Sequence, residues 1–226
     1  MPLGSDRTKR AYEQWAAQYD QDPNPQLVLE FEDVLRVVDP KPGEAILDAA
    51  CGTGRYTVAF HTRGADVLGI DFSAGMVAQA RRKNPALRFV IADLREPLPL
   101  VADTFDAVNC AQALKHLPSL RTPVTEFARV LKPGGRLVFS VTHPEMDWNG
   151  YELRDQPTFI LSRESDIYPY RFADYCDAIA EASLQLEDIY HVPVSEKIAH
   201  LLTPESFRTV QGRYQVVIFR AMKAAT

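Results

Sequence analysis

Five short apolar runs, each followed by turn residues and a helical pattern, constrain the fold of this 226-residue chain more than any other feature. They lie at 45–48, 67–71, 88–92, 105–109 and 136–141. Being mostly continuous rather than alternating, they read as parallel strands buried on both faces. Strand and helix in this rhythm predict an α/β layered fold with right-handed crossovers. Two helices precede the strands. In the first, Tyr12, Trp15, Ala16 and Tyr19 recur at i, i+3, i+4 and i+7 and share one helical face. In the second, Leu27, Phe31, Val34, Leu35 and Val38 form the buried side, and the Asp-Pro-Lys-Pro-Gly stretch 39–43 ends it. After the fifth run, residues 143–171 are polar and aromatic with no clean period. A helix near 172–183 and a strand near 184–192 follow. The last strand, 214–221, is read from alternation and β-branched content. With no repeat, low-complexity tract or linker, the expectation is one domain over 8–226.

Charge and cysteine usage narrow the function classes. The net charge is −5, and the densest basic cluster, Arg81-Arg82-Lys83, falls at a predicted helix end, where cations suit the helix dipole. No basic stripe is left to neutralise phosphates, so nucleic acid is not expected as a partner. Three widely spaced cysteines form no Cys-x-x-Cys pair and fit a reducing compartment. No apolar run nears the ~20 residues of a membrane span, and the N-terminus lacks a secretory apolar core. No membrane contact and a cytoplasmic location are therefore expected. No residue cluster has metal-ligand spacing.

The glycine turn after the first strand carries the chemistry. Gly52-Thr53-Gly54 opens a helix near Arg55, and glycine permits a sharp turn and close ligand approach. The helix N-terminus offers unpaired amides to an anionic group, although such turns also serve plain packing. A dinucleotide fingerprint needs a third glycine where Thr57 stands, so a carboxylate-bearing ligand fits better than a pyrophosphate. Asp48, Asp71 and Asp93 close three successive strands, and ligands in such sheets bind at the carboxyl ends of strands. Asp71 can accept from both hydroxyls of a ribose and Asp93 from an exocyclic amine. Phe72, Met76 and Leu94 can contact the faces of an adenine.

Taken jointly, these motifs resemble the class I S-adenosylmethionine-dependent methyltransferases. The segment 46–54, Ile-Leu-Asp-Ala-Ala-Cys-Gly-Thr-Gly, is similar to the family's first motif, with Ala50 where glycine is usual. Segments 68–73, 92–94, 105–108 and 131–137 resemble the motifs that follow. The resemblance implies a Rossmann-like three-layer sandwich with a seven-stranded, mostly parallel sheet whose last strand is antiparallel. It implies S-adenosyl-L-methionine as methyl donor, with Asp71 on the ribose, Asp93 on the adenine amine and the Gly52–Gly54 turn on the methionine part. Asp48, Ala50 and Asn109 join the candidate donor site. The short N-terminus and the loop after strand five look most like small-molecule methyltransferases acting on natural products or ubiquinone-type precursors. An N-terminal helical lid over 8–38 and a substrate-side insert over 143–171 are the corresponding expectations.

The donor is already activated, so the protein mainly has to align a nucleophile, an effect worth ~7–11 kcal/mol. Methyl transfer to oxygen or nitrogen of a small-molecule acceptor is the expected reaction. Tyr12 and Tyr19 are candidates to close over the donor and favour its sulfonium through cation–π contact, with Trp15 the better anchor. The same face would equally dock the helix on the domain. His116 and His143 follow the fourth and fifth strands and are candidate bases, with Tyr12 beside them as a third catalytic candidate; each histidine also reads as an ordinary loop residue. Trp148, Tyr151, Tyr168, Tyr170 and Phe172 suit either an acceptor pocket, a satellite core or a dimer contact. Monomer and homodimer stay open, as do a donor-binding regulator or partner subunit without turnover and, less favoured, an RNA or DNA methyltransferase.

Overall fold

The computed structural model describes residues 5–22, 24–146 and 165–225. At its centre β1, Ala45–Ala49, pairs in parallel with β2, Asp66–Asp71, on one side and β4, Phe105–Ala111, on the other. β3, Arg88–Ile91, lies outside β2, and β5, Leu131–Thr142, lies outside β4. β7, Tyr214–Lys223, runs antiparallel to both β5 and β6, Leu184–Pro193. The order β3-β2-β1-β4-β5-β7-β6 gives the seven-stranded sheet with its last strand antiparallel. The strand order reverses at β1, so a crevice opens at the carboxyl ends of β1 and β4.

Both faces of the sheet are covered, which is why its strands read as continuous apolar runs. Side chains alternate between the faces with period two. Leu47, Val108, Leu137, Phe139, Val217 and Phe219 pack beneath α5, Arg121–Val130, and α6, Phe172–Glu181. Their neighbours Ile46, Ala107, Val138, Val216 and Ile218 pack against α2, Pro25–Val38, α3, Arg55–Thr62, and α7, Pro204–Val210. Asn24 caps α2 by accepting from the Gln26 amide, Pro25 pre-sets its first turn, and Asp39 ends it in a left-handed conformation. α4, Ala74–Lys83, is capped by Ser73.

Three differences from the sequence reading have local causes. α1, Ser5–Trp15, stops four residues before Tyr19, which sits in tight turns closed by Gln18 N–H on Trp15 O and Gln21 N–H on Gln18 O. β5 begins at Leu131 rather than 136, because Leu131 pairs with Phe105 before the Lys-Pro-Gly-Gly segment loops out and Arg136 resumes with Ala107. Between β6 and β7 lie a short helical turn, Glu196–Leu201, and α7, which bury Ile198, Leu202 and Val210. Trp148, Tyr151 and most of the expected insert 143–171 fall outside the described residues. Among the described residues no helix is long and apolar enough to cross a membrane.

Candidate active site

A cavity lies over the carboxyl ends of β1 to β5, and its wall includes Tyr12, Tyr19, Ala50, Gly52, Asp71, Phe72, Asp93, Leu94 and His116 from the expected set. At one end the Asp71 carboxylate takes the Gly52 amide on one oxygen and the Ser73 amide on the other, each at 2.9 Å. Each oxygen keeps one lone pair. Burial raises this acid to about 6. Next to it Asp93 accepts from the Arg95 backbone amide at 3.0 Å, from Arg95 Nε at 2.8 Å and from Arg95 Nη2. Burial opposes ionisation of Asp93, but the Arg95 contacts prevail and hold it below the usual carboxylate range. One lone pair of Asp93 Oδ2 stays open.

The two glycines of the turn differ in surroundings. A Cβ at Gly52 (φ +55°) would meet only Tyr19 Cε1, at 4.0 Å, so it borders open cavity. A Cβ at Gly54 (φ +91°) would sit 3.0 Å from the Phe89 ring, and Gly54 does not line the cavity. Ala50 adopts φ 57°, the left-handed backbone for which glycine is the usual choice.

Four further expected residues stand behind the wall. Asp48 is buried, accepts from Thr57 Oγ1 at 2.6 Å and Asn109 Nδ2 at 2.9 Å, and is raised to about 6 by burial. It and Asn109 therefore support the turn from beneath. Met76 is buried under α1 with Ala11, Trp15 and Ala16. His143 also lies off the cavity. Its Nδ1 accepts from the Glu145 amide, its Nε2 lies 3.0 Å from His191 Nδ1, and its ring packs among Phe172, Tyr214 and His191. Those contacts turn the imidazole into the β6–β7 side, away from any reacting group in the cavity. Phe172 thus packs with His143, while Tyr170 donates to Leu117 O and Tyr168 N–H to Lys115 O.

His116 faces the cavity. Its Nδ1 lies 2.8 Å from the Asp166 carbonyl, which can only accept, so Nδ1 carries the proton. Nε2 then offers its lone pair 3.4 Å from the Tyr12 hydroxyl. Burial, and then the Lys115 charge, push the imidazole down to about 4, so it is neutral at pH 7. Burial raises the Tyr12 hydroxyl well above its ordinary value. Tyr12 also meets Phe72 edge-on at 5.9 Å and Tyr19 at 6.5 Å, while Trp15 and Tyr19 are 4.5 Å apart.

The N-terminal segment is pinned over this wall by charge. Glu13 accepts from the Ser73 hydroxyl and, at 2.7 Å, from the Gly75 amide at the start of α4. Asp20 accepts from Thr53 Oγ1 and from Lys83 Nζ, both at 2.6 Å. Sequence reasoning missed these ties, together with Arg95, Gln26, Gln112, Lys115 and Thr142 on the cavity wall. A signal existed for α2 alone: Gln26 and Glu30 stand four apart in an otherwise apolar stripe.

Residues 47–139 match the model of a methyltransferase domain. A demethylmenaquinone methyltransferase of Clavibacter sepedonicus is 33% identical over 187 residues, which are 79% of this chain and 71% of that protein. The chain belongs to the class I S-adenosylmethionine-dependent methyltransferase family. A second demethylmenaquinone methyltransferase, from Beutenbergia cavernae, is 40% identical over 46% of this chain and 43% of its own length. The chain thus aligns with less than half of that relative. The crystal structure of an S-adenosylmethionine-dependent methyltransferase from Mesorhizobium loti shares the fold, with a TM-score of 0.70 at 22% identity, covering 86% of this chain and 98% of the other.

Proposed function

We propose that this methyltransferase holds S-adenosylmethionine across the carboxyl ends of β1 to β3 and transfers its methyl group to a small-molecule acceptor in the β4–β5 half of the cavity. The observation that carries the reading is the Asp71 carboxylate: oriented by two backbone amides, it keeps one lone pair on each oxygen beside a glycine whose Cβ position is open. Two vicinal ribose hydroxyls suit that pair of acceptors. Asp93 Oδ2 takes the adenine amine, and Phe72 and Leu94 flank the ring. The carboxylate of the donor's methionine part suits the amides of the Gly52 turn.

When bound, the donor supplies a methyl group on a cationic sulfur, activated for in-line displacement. The chain's own work is then positioning and exclusion of water. Tyr12, Trp15, Tyr19 and Phe72 form an aromatic wall that favours a cation by about 0.5–2 kcal/mol. His116, neutral and held by the Asp166 carbonyl, turns its Nε2 lone pair to the Tyr12 hydroxyl, and the pair positions the acceptor at this wall.

Calorimetric titration with S-adenosylmethionine tests the reading. Wild type binds, and Asp71→Ala, still folded by circular dichroism, loses about 100-fold in affinity, a size expected when two hydrogen bonds to a charged group are removed. No binding by folded wild type would sink the proposal, and unchanged affinity in the variant would refute the ribose role.

A further inference from the structure

At the other end of the cavity, three side chains with no part in donor binding converge on the ammonium group of a fourth. Lys115 follows β4 in the short helical turn Leu114–His116. Its Nζ donates to Gln112 Oε1 at 2.8 Å, Thr142 Oγ1 at 2.8 Å and Gln26 Oε1 at 3.2 Å. All four residues line the cavity, and Gln26 and Gln112 are buried. The sheet order sets them apart from the acids. Asp93, Asp71, Ala50, Gln112 and Thr142 follow in sequence along one edge, from β3 to β5. β2 and β5 are three strand spacings apart, roughly 14 Å.

Counting donors and acceptors shows what this end lacks. Thr142 Oγ1 accepts from both Lys115 and Gln26 Nε2, the latter at 2.9 Å, which fills its two lone pairs and leaves its own proton to donate. Gln26 Nε2 uses one of its two protons on Thr142. Both amide oxygens are turned to the lysine. The groups left over are donors, backed by a cation whose three partners are neutral. The nearby carboxylate, Glu30, lies behind Gln112 and off the cavity wall. It is already engaged by Gln112 Nε2 at 2.7 Å and Tyr56 OH at 3.1 Å. Burial lowers the lysine to about 8, with Glu30 opposing, as expected of a desolvated cation without a direct counter-charge.

We propose that Lys115, with Thr142 and Gln26, is the acceptor-recognition site, and that it selects an acceptor bearing an ionised oxygen conjugated to, or identical with, the atom that is methylated. The inference rests on the methyl-transfer reading above. A phenol or enol entering this end gives up its proton to water, and the Thr142 hydroxyl and the second Gln26 Nε2 proton hold the resulting oxyanion, with the Lys115 charge directly behind them. The acceptor's electron pair forms the new bond to the methyl carbon. The carbon–sulfur bond breaks with its pair kept on sulfur, so the sulfonium becomes a neutral thioether as the oxyanion loses its charge.

The test uses 4-nitrophenol, whose ionised form has its own absorbance band, added to the full chain saturated with S-adenosylhomocysteine. Wild type is expected to bind the phenolate about tenfold more tightly than the neutral phenol, as a charge-assisted contact implies. Lys115→Met is expected to abolish that preference while S-adenosylmethionine affinity, measured by calorimetry, stays within about threefold. Thr142→Val removes one hydroxyl without touching the cation, reports the site even if Lys115→Met fails to fold, and is expected to lose about threefold. Equal preference for phenolate in wild type and both variants overturns the proposal, as does wild type that binds only the neutral phenol or no phenol. Failure of wild type to bind S-adenosylmethionine is a different outcome and overturns the underlying methyl-transfer reading.

Discussion

Gly52 and Gly54 lie two residues apart, and their φ angles and neighbours give them separate tasks. An alanine at Gly52 would stay in the left-handed basin at φ +55°, at a cost of about 1 kcal/mol. The neighbouring Ala50 already carries such a conformation. The new methyl group would, however, stand in the space between the turn and Tyr19 where the donor is proposed to lie. An alanine at Gly54 would combine φ +91° with a 3.0 Å approach to Phe89, at a cost of about 2–3 kcal/mol. Gly52→Ala is therefore expected to lose at least about tenfold in S-adenosylmethionine affinity while Tm falls by only about 2–4 °C. Gly54→Ala should lower Tm by about twice that and leave the affinity of the folded protein within about threefold. Thermal melts and calorimetry on both variants decide it, and the reverse pattern would exchange the two roles.

At the scale of elements, the segment 5–22 supplies Thr8, Tyr12, Trp15 and Tyr19 to the cavity wall. This segment covers Met76 with Ala11, Trp15 and Ala16, and Glu13 and Asp20 are among its polar ties to the domain. Removing Glu13 leaves the Ser73 hydroxyl and the Gly75 amide without that acceptor, a loss of about 1–2 kcal/mol borne by docking of α1 rather than by the sheet. If only the docked form binds donor tightly, affinity falls with the docked fraction. Glu13→Ala should thus raise the S-adenosylmethionine Kd by about tenfold with the urea midpoint nearly unchanged, and bound donor should slow proteolysis within 5–22. Unchanged Kd would reduce α1 to a packing element. How far such elements were legible depended on what holds them. Strands buried on both faces and the apolar stripe of α2 announce themselves through period, and the acids at three strand ends through position. Tyr19 looked helical because the pattern continues past Trp15, where the chain in fact turns. Glu30 and Gln112 stand 82 positions apart, and helical spacing cannot report that they meet. His143 shows the limit of reading by position, since a strand end fixes where the Cα lies but not that the ring is drawn toward Phe172, His191 and Tyr214.

Across the whole molecule, the buried titratable groups around the site oppose one another as pH changes. Burial, and then Lys115, hold His116 at about 4, below the ~6.5 of an unfolded chain. Between those values the unfolded state binds more protons, so this contribution to stability is lost as pH falls from 6.5 toward 4. His143, lowered by burial and then by His191, acts in the same direction. Asp48 and Asp71 do the opposite. Burial raises both to about 6, above the ~3.9 of an unfolded aspartate, so the folded state binds more protons between 4 and 6. Their contribution to stability therefore grows as pH falls through that window. At pH 5 the His116 loss is about 2 kcal/mol and the gain from the two aspartates together about 3 kcal/mol, with His143 adding to the loss. These nearly cancel, so the unfolding free energy of wild type should change by less than about 1–2 kcal/mol between pH 7 and pH 5. Asp71→Asn and Asp48→Asn each remove one offsetting carboxylate. Either variant should lose about 1 kcal/mol more than wild type over the same interval, whereas His116→Asn should gain stability toward pH 5. Urea midpoints at pH 7, 6 and 5 measure all four proteins. Parallel profiles for wild type and variants would mean that these acids and this imidazole are not the groups that set the response, and that the site is wetter than its burial indicates.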